Sequence, residues 1–366
     1  MNHFKDFSFS EWQDVWENNL GNSAMALWKL PQTDQVNFII DHQGGSELDH
    51  KNIEQLRPGF VIADFEGKLI YLNAKDYYSD RIPKIFFEGG KFDIEEDINE
   101  KNRYLKLVEE TVEEISKGKM QKVVLSRRRK ASLEKVPIME IFKRLGNLYP
   151  DAFISAFTLP GEESIWVGSS PEILVQQNKE GVFRTFSLAG TQVALPGVQV
   201  GQVLWGQKEI EEQAYVSRYI IDCFKKIRLR EYAEIGPKTV LAGNLWHLKT
   251  EYRVNTELLN YKQLASTMLD LLHPTSAVCG TPKNLAKEWI LKKEGYDRKY
   301  YTGYLGPINF DLEISIFVNL RTVELYGRGD HWEGYFYAGG GITENSNPQK
   351  EWEETELKIQ TMLRGF

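Results

Sequence analysis

The sequence predicts an α+β protein with largely antiparallel sheets. Three observations predict it. Short apolar runs at strand spacing are interspersed with longer segments at helical spacing. Some runs are joined by hairpin-length turns and others by long helical insertions, which does not suit a doubly wound parallel sheet. No dinucleotide glycine fingerprint follows a strand, and no GxxxxGK[ST] loop occurs.

Residues 1–95 read as a mixed segment, in which "FVIADFEGKLIYLNA" (60–74) predicts two strands around a Glu-Gly turn. The charged stretch from Phe92 begins as a linker and becomes a helix, with Leu105, Val108, Thr111, Val112 and Ile115 at helical spacing and Gly118 as its stop. Its acids read as a solvated face. Further strands are expected at 122–127, 152–158, 164–168, 183–188, 314–323 and 333–338. Further helices are expected at 138–147, 208–228, 261–272, 284–293 and 348–364.

Composition narrows the function. The chain has 366 residues, 42% of them hydrophobic, enough for a sizeable core in one large domain or two. A net charge of -7 argues against a general nucleic-acid binder, which needs a basic face to displace counterions. Two cysteines, Cys223 and Cys279, without paired Cys/His spacing argue against a disulfide scaffold and a structural zinc site. The N-terminal stretch has no apolar signal core, and runs such as "VNFII" are too short to span a bilayer. A cytoplasmic protein without nucleic-acid or membrane partners is expected.

Four stretches can carry chemistry. In "QKVVLSRRRK" (121–130), Lys122, Val124 and Ser126 share one strand face. Lys122 either snorkels at a strand edge or is a desolvated lysine able to act as general base. The "RRRK" end reads as solvated, with Arg127 paired to an acid. In "GSSPEILV" (168–175), Glu172 is either an exposed turn residue or an enclosed carboxyl holding a proton to donate. In 207–227, Val216, Ile220, Cys223 and Ile227 form a helical stripe that extends back to Glu212 and Glu209. Those acids either suit a frayed first turn or need a buried partner. In "YAGGGITENSNPQKEWEETELK" (337–358), Ser346 or Asn347 caps a helix on which Glu351 and Glu354 share a face. They suit Mg²⁺, or a solvated face with a Glu354–Lys358 pair.

Together with "SLAGT" (187–191), "HLKT" (247–250), "LLHPTSAVCGTP" (271–282), "YDRKYYTGYLG" (296–306) and "IFVNLRTVEL" (316–325), these stretches resemble the chorismate-utilising enzymes, most closely the isochorismate synthases. The resemblance runs from about residue 100 to the C-terminus. It implies a sandwich of large, mostly antiparallel sheets flanked by helices. It implies a catalytic region over 101–366, with residues 1–100 completing the fold. It implies chorismate as substrate, Mg²⁺ as cofactor, and a monomer.

By the same resemblance, Lys122 matches the base that activates water and Glu172 the acid that protonates the departing hydroxyl. Glu212 and Glu354 match the carboxylates that hold Mg²⁺, with Glu351 and Glu209 as helpers. Arg321 matches the clamp for the enolpyruvyl carboxylate. Ala189, Gly190 and Thr191, with Gly339, Gly340 and Gly341, match backbone contacts to substrate carboxylates, and His247 and Tyr301 line the pocket. Lys122 stands where amino-transferring members typically have glutamine, and Ala189 where aminodeoxychorismate synthases have a lysine. Salicylate synthases share the lysine and usually have a longer N-terminal part. They remain an alternative, as does a non-catalytic chorismate-binding subunit. Gln192, Ile210, Gln213 and Ser276 depart from the family pattern.

Overall fold

The computed structural model describes residues 8–48, 52–87, 89, 97–195, 197–242 and 245–366. The expected linker at 92–96 and the first seven residues lie outside that set. In chain order, α1 (Trp12–Asn19) precedes β1 (Ala24–Lys29), β2 (Gln35–Asp41), β3 (Ser46–Leu48), β4 (Gly59–Ala63), β5 (Leu69–Asn73) and β6 (Asp76–Arg81). Next come α2 (Ile98–Ser116), β7 (Lys122–Glu134), α3 (Ile138–Leu148), β8 (Phe153–Thr158), β9 (Ser164–Ser170), β10 (Ile173–Gln177) and β11 (Val182–Val193). Then follow α4 (Gln207–Lys226), β12 (Ala233–Ala242), β13 (Leu245–Asn255), α5 (Leu264–Leu272), β14 (Gly280–Thr281) and α6 (Lys283–Lys293). The last elements are β15 (Tyr304–Phe310), β16 (Glu313–Val318), β17 (Thr322–Arg328), β18 (His331–Ile342) and α7 (Pro348–Leu363).

Two nine-stranded sheets form. Sheet I runs β14-β7-β18-β17-β9-β8-β1-β2-β6, and sheet II runs β12-β13-β11-β10-β16-β15-β4-β5-β3. Every pairing between neighbours is antiparallel. The sheets face each other across a core that includes Trp28, Phe153 and Trp166 from sheet I and Phe60 and Phe317 from sheet II. Phe153 and Phe317 stack with centroids 4.1 Å apart. The outer face of sheet I packs against α1, α3 and α7. The outer face of sheet II packs against α4 and α5. No helix among the described residues is long and apolar enough to cross a membrane.

Burial on both faces explains why periodicity does not find β1. β1 reads AMALWK and is buried throughout. Ala24, Ala26 and Trp28 face the other sheet, while Met25 and Leu27 face the helices. A strand covered on both sides shows a continuous apolar run rather than an alternation.

Two expectations need correction. The single strand at 314–323 is two strands in different sheets, broken at Asn319–Arg321, where Arg321 takes a positive φ of 47°. The "RRRK" end is not solvated throughout, since Arg127 and Arg129 are buried. Arg127 donates to Thr355 at 2.7 Å, stacks over Trp352 and pairs with Glu100 and Glu356, while Arg129 also pairs with Glu356. The first turn of α2 is therefore not a purely solvated acidic face.

Candidate active site

A gap in sheet I makes the pocket. The last pair between β17 and β18 is Val323 with Phe336, but β18 stays paired with β7 as far as Ile342. Among the described residues, the edge of β18 beyond Phe336 is thus left without a strand on its β17 side. α7 covers part of it, and Lys358 donates to the Gly339 carbonyl at 2.7 Å. The gap opens where two chain segments cross between sheets. Ser170–Glu172 leads from β9 in sheet I to β10 in sheet II, and Asn319–Arg321 leads from β16 back to β17. The crossings are tied together. Ser170 Oγ donates to the Val318 carbonyl at 2.6 Å, and the Val318 amide donates to the Glu172 carbonyl at 3.0 Å. One crossing delivers Glu172 and the other Arg321 to the same pocket.

β7 begins at Lys122, which lines the opposite side. Among the described residues, the strand on its outer edge is the two-residue β14. Gly280 sits there at φ 149°, and a Cβ would lie 2.2 Å from the Lys122 carbonyl, so the "CGTP" turn needs glycine. Past β14 a buried ion pair takes over the edge. Glu294 accepts from the Ser126 amide at 2.7 Å, and Arg298 donates to the carbonyls of Val124 at 2.8 Å and Val278 at 2.9 Å. Side chains thus satisfy backbone groups that a longer strand would have paired.

Sheet II supplies the remaining wall. The pairing of β11 with β13 shifts between Ala189 and Gln192, and Gly190 takes φ 68°. This bulge carries Ala189, Gly190 and Thr191 into the pocket, beside His247 from β13 and Glu212 from α4. Tyr301, which follows α6, stacks on Tyr337 with centroids 5.1 Å apart.

The charges suit an anionic guest. Arg321 is half-buried and makes no side-chain hydrogen bond among the described residues, and its loss of solvent lowers its pKa to about 10. It stays cationic at neutral pH. His247 is pushed down to about 3, first by burial and then by the Arg321 charge, so it is neutral. Its Nδ1 faces the Gly190 carbonyl at 3.0 Å, which requires a proton on Nδ1 and leaves the buried Nε2 as an acceptor without a partner. Burial raises Glu172 to about 7 despite the opposing charges of Lys122 and Lys358. Neither Lys122 Nζ nor the Glu172 carboxyl is committed to a hydrogen bond among the described residues.

Three carboxylates gather at the α4–α7 side. Burial raises Glu212, with the Lys122 charge opposing. Burial also pushes Glu354 up, but Lys358 at 2.7 Å outweighs it and keeps Glu354 below the ordinary value. Glu351 is buried, with Oε1 bonded to Lys208 and Ser346 at 2.8 Å each and Oε2 without a partner. Among the described residues no three His, Cys, Asp or Glu side chains converge as a metal cluster. The donor chemistry nevertheless fits Mg²⁺, which keeps several waters and needs only one or two carboxylates.

Most of the residues singled out in the sequence line this one pocket: Lys122, Glu172, Ala189, Gly190, Thr191, Glu212, His247, Tyr301, Arg321, Gly339, Gly341 and Glu354. Three do not. The strand pleat turns Gly340 away from Gly339 and Gly341, so its missing Cβ points at Glu351 Oε2, 3.0 Å off. Glu351 lies behind it. Glu209 folds back over the helix start, where its Oε2 is 2.7 Å from a Cβ placed on Gly206. Gly341 marks close quarters, since a Cβ there would lie 2.7 Å from Lys122 Cε and 2.9 Å from Glu212 Oε1. Sequence reading missed Lys358 as a pocket residue, because a helical i, i+4 pair with Glu354 accounts for it equally well. Of the departures, Gln213 is buried and donates to Ser187 and Thr250, and Gln192 donates to the Leu204 carbonyl. Ile210 is exposed and Ser276 is buried with its hydroxyl unpaired. None of the four lines the pocket. A wider cleft beside Arg103, Arg128 and Tyr335 holds none of the site residues.

Known proteins resemble this chain in sequence and in fold. Isochorismate synthase DhbC of Bacillus subtilis is 29% identical over 281 residues, which cover 74% of this chain and 69% of that protein. Isochorismate synthase MenF of Escherichia coli is 28% identical over 275 residues, 72% of this chain and 61% of that protein. The crystal structure of DhbC from Bacillus anthracis superposes with a TM-score of 0.78 at 22% identity, covering 96% of this chain and 98% of that one. The family described as chorismate binding enzyme matches residues 83–366, which include every pocket residue named above. With the two-sheet fold of a solved relative and that match over most of its length, the chain belongs to the chorismate-binding enzymes.

Proposed function

We propose that this protein is a Mg²⁺-dependent isochorismate synthase. The observation that carries the reading is the pairing of Lys122 with Glu172 in one enclosed pocket, the carboxyl raised to about 7 and both groups free of hydrogen bonds among the described residues. A base and an acid of this kind suit a reaction that adds water at one carbon and removes hydroxide from another.

Chorismate is a dianion. Arg321 binds one carboxylate through its uncommitted guanidinium. The backbone of the Ala189–Thr191 bulge and the bare edge at Gly339 and Gly341 receive the other polar groups. Lys122 takes a proton from water as its oxygen bonds to ring C2. The ring double bonds shift, the C4–O bond breaks, and Glu172 gives its proton to the departing hydroxyl. One water enters and one leaves, so no electron acceptor is needed. Neutral His247 offers Nε2 as a hydrogen-bond acceptor without adding charge. Glu212 and Glu354, with Glu351 behind, are the residues that would hold Mg²⁺, whose Lewis acidity would draw electron density through the ring carboxylate. The reading carries with it a cytoplasmic monomer whose product feeds menaquinone or catecholate siderophore synthesis.

Lys122→Gln tests it. Turnover of chorismate is expected to fall by at least about 10²-fold, the scale of a lost general base. The urea midpoint should stay near that of the parent protein. Normal turnover in this variant contradicts the mechanism.

A further inference from the structure

Lys208 stands in the first turn of α4, and its ammonium donates to Glu351 Oε1 on α7 at 2.8 Å. The two ends of this pair differ. The Glu351 side chain is 1% exposed and the Lys208 side chain 38% exposed. Leaving a buried carboxylate without a counter-charge is costly. Lys208 supplies it here, and the charges of Glu212 and Glu354 draw the same ammonium. Lys358, the other lysine of the cluster, is tied at 2.7 Å to both the Gly339 carbonyl and Glu354. Among the described residues Lys208 has no such second tether, and its flexible four-carbon stem reaches solvent.

We propose that Lys208 is an internal cation that occupies the charge site of Glu351 when no metal is bound, and that a divalent cation displaces it. This rests on the reading of Glu212, Glu351 and Glu354 as a Mg²⁺ site. The ammonium and the divalent ion compete for one carboxylate. The intrinsic affinity for metal is therefore reduced by the fraction of molecules in which Lys208 holds Glu351. The pair also bridges α4 to α7, so the metal-free pocket keeps its walls together. When metal enters, the bridge passes from the lysine to the ion and the lysine swings into water.

The test is calorimetric titration of Mg²⁺ into the full chain and into Lys208→Met, with melting temperatures in EDTA and in Mg²⁺. The variant is expected to melt lower in EDTA, to bind Mg²⁺ on the order of tenfold tighter, and to gain more stability from it. Lys350→Met removes an exposed lysine next to Glu351 in sequence and controls for general charge. It is expected to change the affinity far less. The gain should vanish in the double variant Lys208→Met/Glu351→Gln. Equal or weaker binding in Lys208→Met overturns the proposal, as does equal tightening in Lys350→Met. Absence of Mg²⁺ binding in every protein overturns it too. Chorismate turnover by the parent chain, measured separately, tells whether the functional reading fails with it.

Discussion

Glu172 has its acidity set by its position between the two sheets. Burial raises it to about 7, against an ordinary carboxylate value near 4.3. As general acid it works only when protonated, and the protonated share falls as pH rises through about 7. The Glu172 carboxyl, followed by carbon-13 NMR in the free protein, is therefore expected to titrate with a midpoint near 7. A midpoint near the ordinary carboxylate value contradicts the assignment. The sequence offered Glu172 only as a choice between an exposed turn and an enclosed acid. Nothing in "SSPE" says that its neighbours come from the opposite sheet. Arg321 shows the same limit. It falls in an apolar run that reads as one strand, and the break at φ 47° that turns it into the pocket is a tertiary feature. Gly340 is the reverse case. Alternation along the strand already implied that three consecutive glycines cannot all face one site.

At the scale of elements, β7 carries the most consequence. It is the strand that begins with Lys122, and its pocket end has almost no partner strand on the outer side. The Glu294–Arg298 pair satisfies that edge from within the core, each side chain 1% exposed. Arg298→Met leaves Glu294 buried without its counter-charge, so unfolding by urea should show a loss of about 3–5 kcal/mol. A loss under about 1 kcal/mol would show that the pair does not support the strand. The other end of β7 explains the arginine run. Arg127 and Arg129 face α2 and α7 on the side opposite Lys122, and Glu356 accepts both. Only the partners on those helices separate a buried arginine from a solvated one, and a strand pattern does not include them. Helices were more legible than strands. The apolar stripes of α2 and α4 match their buried faces because each helix has one core side.

Across the whole molecule, the site exists because two sheets exchange strands beside a gap. β9 passes to β10 and β16 passes back to β17, and the bare edge of β18 lies between them. Three consequences follow from that layout: an acid and a base in one pocket, a guanidinium without a side-chain hydrogen bond among the described residues, and carboxylates from α4 and α7 beside them. The described residues among the first ninety add β1, β2 and β6 to sheet I and β3, β4 and β5 to sheet II, and none of them lines the pocket. The measurement that tests the central claim most directly is a product assay. The purified chain is incubated with chorismate in Mg²⁺ and in EDTA, and the products are separated by chromatography. Isochorismate should form in Mg²⁺ until it stands in equilibrium with chorismate, with little in EDTA and no pyruvate in either. Chorismate recovered unchanged in Mg²⁺, or released as salicylate and pyruvate, would contradict the account.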